Sequence, residues 1–116
     1  AGSHVFLIHV DQQLAGFALV YRRSRLHNPF DGHSIAAFFV MRRYRRQGVG
    51  RTAAIFMFDR FPGAWEVSSS ADNVPGHVFW RSVVDHYTDG HYSETWLQAP
   101  HWRGPIESFV APPSHP

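Results

Sequence analysis

The hydrophobic positions fall into short blocks whose spacing changes along the chain. Residues 5–10 form an apolar run, Asp11-Gln12-Gln13 interrupts it, and residues 14–21 are β-rich again, so the first twenty residues predict a hairpin. Residues 22–33 carry Asn28-Pro29 and Asp31-Gly32, both turn signals, and predict a loop. Residues 34–41 are nearly all apolar over the length of one strand, the pattern of a strand buried on both faces. Strict alternation there sends Ile35, Ala37, Phe39 and Met41 to one face and Ala36, Phe38 and Val40 to the other. From Gly50 the period changes. Ala54, Met57, Phe58 and Phe61 lie on one helical stripe that Pro62-Gly63 ends. Residues 65–69 predict another central strand. Asp72 or Asn73 can then cap a helix with Pro75 in its first turn and Phe79, Trp80, Val83, Val84 and Tyr87 facing inward. Residues 92–97 and 105–110 predict two closing strands. The order is β-β-β-α-β-α-β-β, a mixed α/β (α+β) fold with helices packed on one sheet.

Composition narrows the class. With 116 residues, 44% of them hydrophobic and 16% aromatic, the chain has the size and apolar content of one globular domain. The domain is expected over residues 5–110, with residues 1–4 reading as a cloning remnant and residues 111–116 as a loose, proline-containing tail. The longest apolar run is far shorter than the ~20 residues of a membrane-spanning helix, and no membrane partner is expected. Cysteine is absent, which removes thiolate nucleophiles and disulfides. Lysine is absent too, since all 11 basic residues are arginine, so Schiff-base chemistry and lysine-bearing phosphate loops are excluded. The formal net charge is only +2. The histidines form no H-E-x-x-H pattern, and no metal site is expected from their spacing.

The segment that carries chemistry joins a buried strand to a helix: Phe38-Phe39-Val40-Met41-Arg42-Arg43-Tyr44-Arg45-Arg46-Gln47-Gly48-Val49-Gly50-Arg51. Glycines at 48 and 50 let the backbone approach a ligand with no Cβ in the way. The amides of residues 47–51 then lie at the positive end of a helix dipole, where phosphate binds, and Arg45, Arg46 and Arg51 add charge. The turn lacks the third glycine of a dinucleotide fingerprint and the lysine of a Walker loop. The same arginine cluster, interleaved with Tyr44, also admits a nucleic-acid reading. That reading leaves the glycines unexplained in a chain otherwise near neutrality, so no nucleic-acid partner is expected.

Arg45-x-x-Gly48-x-Gly50 at a strand-to-helix junction resembles the pyrophosphate loop of the GNAT superfamily of acyl-CoA-dependent N-acyltransferases. Asn73-x-Pro75-x-x-x-Phe79-Trp80-Arg81, on the second helix, resembles that superfamily's asparagine-then-aromatic block. The resemblance covers roughly residues 5–110. It implies a mostly antiparallel sheet with a V-shaped opening between the strand ending near Val40 and the strand starting near Trp65. It also implies that acetyl-CoA lies there, with pantetheine along the backbone of Phe38, Phe39 and Val40. The Val40 amide would act as oxyanion donor, residues 46–51 would hold the pyrophosphate, and Asn73 and Phe79 would lie against the cofactor arm. An amine acceptor and a cytoplasmic location follow from the same resemblance.

The departures from the family pattern concern protons. Trp80 stands where many relatives carry a general-acid tyrosine, and an indole is not an acid at working pH. Ser68 and Ala37 stand where acidic groups are common. Asp72, Glu66, Glu94 and His33 are the remaining candidates for a base, and Tyr87 and Tyr92 for an acid. The implied function is direct acetyl transfer to an amine, the alternative being a catalytically silent CoA-binding module or a truncated fragment. The usual first strand and two helices of the family have no counterpart in these residues. One sheet face is therefore expected to be bare and apolar, and to pair with a second copy in a homodimer.

Overall fold

The computed structural model describes residues 3–27 and 29–113. Six strands form one sheet: β1 (His4–Val10), β2 (Gln13–Tyr21), β3 (Gly32–Val40), β4 (Gly63–Ser68), β5 (Ser93–Ala99) and β6 (Trp102–Ala111), in the spatial order β1-β2-β3-β4-β6-β5. Helix α1 (Val49–Arg60) joins β3 to β4, and α2 (Val74–Thr88) follows β4. All neighbouring pairs are antiparallel except β3 and β4. The element order is the one the hydrophobic pattern predicts. β1 begins at His4, which pairs with Val20, and β6 runs through the buried Ala111, so the folded unit exceeds 5–110 by a residue at each end. Of the expected remnant and tail, residues 1–2 and 114–116 lie outside the described residues.

Both helices pack on the same sheet face. Ala54, Met57 and Phe58 of α1 and Trp80, Val83 and Val84 of α2 share one core with Ala18, Val20, Ile35, Trp65, Val67, Phe109 and Ala111 of the strands. Phe58 is at its centre, with its ring 4.8–5.1 Å from those of Trp65, Tyr87 and Phe109.

The strict alternation expected of β3 does not hold. Val20 pairs with Ile35 but Leu19 pairs with Ala37, so Ala36 is an extra residue on the β3 side of the ladder. Such a bulge reverses the facing of everything beyond it and bends the strand. Ile35 and Phe38 consequently face the same core, where a regular strand would separate them. The bend also turns β3 away from β4. Their parallel pairing lasts for three residue pairs, Gly32–Ala64, His33–Trp65 and Ser34–Glu66, and the strands then diverge.

Among the described residues, no helix covers the opposite sheet face. Leu7 is paired with Phe17, and Phe17 with Phe39, so these three exposed side chains make one apolar row across β1, β2 and β3. Val5, also exposed, belongs to the same face. A bare apolar face was the expectation, and the described residues provide one.

Candidate functional site

The divergence of β3 and β4 opens a cleft of about 640 Å³. Its walls come from the end of β3 (Phe38, Phe39, Val40), the loop before α1 and that helix's first turn (Arg45, Arg46, Gly48, Gly50, Arg51), and the first half of α2 (Asn73, Pro75, Gly76, Phe79, Trp80). Ten of the twelve residues expected to hold a cofactor line it, and so does Trp80. Gln47 and Val49 do not: their side chains turn to a separate groove between β1 and α1, and Gln47 is tied to the Arg43 carbonyl at 3.0 Å. Alternate residues of the loop thus face opposite ways, which a linear motif cannot express.

Backbone polarity in the cleft follows from the ladder. The Met41 N–H donates to the Ala15 carbonyl at 2.7 Å. Antiparallel partners exchange hydrogen bonds at every second residue. Phe39 therefore turns its amide and carbonyl toward β2, while Phe38 and Val40 turn theirs into the opening. Arg45 Nε donates to the Val40 carbonyl at 2.8 Å from that side. The expected run of three backbone contacts reduces to two, at Phe38 and Val40; Phe39 contributes its ring, over which the Arg45 guanidinium lies at 5.6 Å.

The loop is held from behind. A 3₁₀ turn at Arg42–Tyr44 buries Tyr44, whose hydroxyl donates to Gln13 Oε1 at 3.3 Å. Gly48 precedes α1 with φ of 76° and no side-chain cap, and the first helical bond runs from the Thr52 N–H to the Gly48 carbonyl. The amides of Val49, Gly50 and Arg51 are left without helical partners at the positive end of the dipole. Gly50 serves packing as well, because a Cβ there would come within 3.1 Å of the Phe79 ring. Arg51 reaches Ser82 of α2 at 3.1 Å.

Asn73 caps α2. Its Oδ1 accepts from the Gly76 N–H at 3.0 Å, which leaves the two Nδ2 hydrogens for a ligand in the cleft. Phe79 and Trp80 are packed edge to face with one another, and Phe38 lies edge to face on Trp80 at 5.0 Å.

No carboxylate, histidine or tyrosine is among the described residues that line this cleft. The candidate proton carriers are elsewhere. Glu66 is buried where β3 and β4 part, and accepts from the Ser24 hydroxyl and the Arg25 N–H. His33 stacks on Phe61 at 4.5 Å; burial first, then Arg22 and His4, lowers its pKa. Asp72 is almost fully exposed near Arg103. The Tyr87 hydroxyl donates to Asp59 at 2.7 Å, and burial together with that bond raises its pKa, which makes it a poor acid. Tyr92 packs against the core on the β5 side. Glu94 meets two groups whose separation in sequence hid them: His77 of α2 and Glu107 of β6, on the flank of α2 that faces β5 and β6.

The cleft lies where the GNAT resemblance implies one, and comparison with known proteins bears on the family and the fold. Residues 1–83 match the family model described as Acetyltransferase (GNAT) family. The chain belongs to that family. Among solved structures, an acetyltransferase from Thermus thermophilus superposes with a TM-score of 0.70 at 12% identity, covering 94% of this chain and 64% of that one. The ribosomal-protein-S18-alanine N-acetyltransferase of Escherichia coli gives 0.64 at 16% identity, over 97% and 72%. The PaiA N-acetyltransferase of Thermoplasma acidophilum, solved with coenzyme A, gives 0.61 at 10% identity, over 94% and 61%. At these identities the likeness is one of fold, and the GNAT chain spans about two-thirds of the length of these neighbours. No curated protein matches it. No helix among the described residues is long and apolar enough to cross a membrane.

Asn73 is a helix cap that also lines the cleft, and the cap can be tested by itself. Replacing it with alanine removes the cap, and Asn73→Ala should lower stability by about 0.5–2 kcal/mol in urea denaturation. Asn73→Asp, which keeps an acceptor at the helix start, should stay within about 0.5 kcal/mol of the parent.

Proposed function

We propose that this GNAT domain binds acetyl-CoA in the β3–β4 cleft and transfers the acetyl group directly to an amine. The supporting observation is the convergence in one cleft of unpaired amides at the start of α1, two inward-facing backbone units on β3, and the Asn73 amide. These donors suit a long ligand with a pyrophosphate at one end and an amide-bearing arm. When bound, acetyl-CoA supplies an activated thioester. Residues 49–51 and the arginines around them would receive the pyrophosphate, and Phe38 and Val40 would pair with the pantetheine amides. The Val40 N–H would donate to the thioester carbonyl oxygen and stabilise the charge that develops as the amine attacks.

In that reaction a C–N bond forms, the C–S bond breaks, and the amine proton ends on solvent. The cleft lining offers no acid for the departing thiolate. A thiolate is stable enough to leave unassisted, so the missing acid slows the reaction by about 10²–10⁴ without forbidding it.

Calorimetric titration with CoA tests the binding reading, which fails if no heat is seen at millimolar ligand. Gly48→Glu places a carboxylate at the phosphate end; no atom lies within 4 Å of the new Cβ, but the φ of 76° is one that side chains rarely adopt, so some loss of stability is expected beside the effect on binding. It should weaken CoA binding by at least about tenfold in a protein whose circular dichroism is unchanged. An acetyl-transfer assay over a panel of amines tests catalysis, and silence across the panel would leave a CoA-binding module. In an active preparation, Trp80→Tyr should raise kcat by supplying a phenolic proton; equal or lower activity in the folded variant would assign Trp80 a role of its own.

The bare face carries a second expectation. We propose that the Leu7–Phe17–Phe39 row packs against a second copy, since a continuous apolar row across three strands that ends at edge strand β1 presents the same surface to a symmetry mate. Light scattering at micromolar concentration should give twice the 13.3 kDa chain mass, and Leu7→Glu should return it to a monomer. A monodisperse 13.3 kDa parent would overturn the dimer.

A further inference from the structure

Glu107 is the anomaly of the core. Its side chain is wholly buried on the helix-covered face of β6, and neither carboxylate oxygen has a hydrogen-bond partner. Directly opposite on β5 stands Glu94, a second carboxylate. Like charges facing each other across a strand pair are unfavourable, and a buried carboxylate without partners is costlier still. A group that lies between them and offsets their charge would remove both penalties.

His77 completes the arrangement from above. Its Nε2 lies 2.7 Å from Glu94 Oε1 and 3.8 Å from Glu107 Oε2, and one ligand atom from each of the three residues falls within 4.8 Å of the others. Trp96 holds the imidazole edge to face at 5.9 Å. Tetrahedral zinc, with bonds of about 2.0–2.2 Å, spaces its ligand atoms about 3.3–3.6 Å apart, so small side-chain rotations suffice to meet it. One imidazole and two carboxylates are a borderline-hard set suited to a divalent transition ion, with water in the fourth position. The side chains of His77 and Glu94 keep 21% and 23% exposure, which gives an ion a route from solvent. Arg81, one turn further along α2 and bonded to Tyr92, faces both carboxylates from the rim and offsets part of their charge. Without a metal, burial and then the neighbouring Glu94 push the Glu107 carboxyl up to about 8, so a retained proton is the competing occupant.

We propose that His77, Glu94 and Glu107 form a zinc-type divalent metal site. The ion ties the first turn of α2 to the β5–β6 hairpin. His77 follows Gly76, a wall residue of the acetyl-CoA cleft, and its N–H is bonded to the Asn73 carbonyl, so the site braces that wall from the side away from the ligand.

Chelator-treated protein dialysed against micromolar ZnCl₂ tests the site by metal analysis and thermal melting. The parent should retain one zinc per chain and melt at a higher temperature with zinc than with EDTA. Glu107→Gln removes the charge and keeps the shape. With His77→Gln it should weaken zinc binding by at least about tenfold and abolish the zinc-dependent rise in melting temperature. His101→Gln, away from the site, should change neither. Cobalt(II) loading should give visible absorption bands in the parent that are missing from Glu94→Gln. Failure of the parent to hold stoichiometric zinc, or equal zinc retention in Glu107→Gln and His77→Gln, would overturn the proposal and leave a proton on the carboxyl pair. None of these readouts depends on CoA binding or acetyl transfer.

Discussion

The divergence of β3 from β4 is the constraint on which the molecule depends. Two parallel strands that stayed paired would place carbonyls and amides against each other along their full length and leave no cleft. Here the pairing ends at Ser34–Glu66, because the extra residue at Ala36 bends β3 and the aromatic side chains beyond it fill the space underneath. The inward-facing amides of Phe38 and Val40 and the Phe38 carbonyl are freed by the same event, while Arg45 Nε takes the Val40 carbonyl. A ligand strand is what such groups would otherwise lack.

The helices make that opening usable. α1 begins within the loop that follows β3, so its uncapped amides stand at one end of the cleft. α2 begins at Asn73, which caps the helix with one atom of its amide and faces the cleft with the other. Gly50 lets the two helices close on each other through Phe79, and Trp80 and Phe38 seal the floor. Packing and ligand geometry are therefore carried by the same residues. A glycine or an aromatic in this site cannot be assigned to only one of them.

Chemistry is distributed unevenly. The binding half is dense with donors, whereas the described lining holds no group that titrates near neutrality. The buried acids of the domain are used elsewhere: Glu66 organises the loop around Ser24 and Arg25, and Glu107 meets Glu94 and His77 behind α2. The proposed acyl transfer through this cleft would rely on electrostatic stabilisation and on the leaving ability of a thiolate more than on proton transfer.

Much of this was legible in the residues themselves. The β-β-β-α-β-α-β-β order follows from a change of hydrophobic period, and the open amide-bearing loop before α1 from glycine spacing at a strand-to-helix junction. Asn73 is readable as a cap and cleft residue because a capping side chain and Pro75 are local signals. All of these are short-range properties of the backbone. The facing of Phe38, the outward turn of Gln47 and Val49, and the commitment of Phe39 to β2 were not legible, since they depend on one bulged residue and on which neighbour each strand meets. The His77–Glu94–Glu107 cluster draws on a helix and two strands, and no spacing in the chain announces it. Local sequence determined the elements and the donors of the loop; only the tertiary structure decided which way they point, because facing in a sheet is set by register between strands distant in sequence.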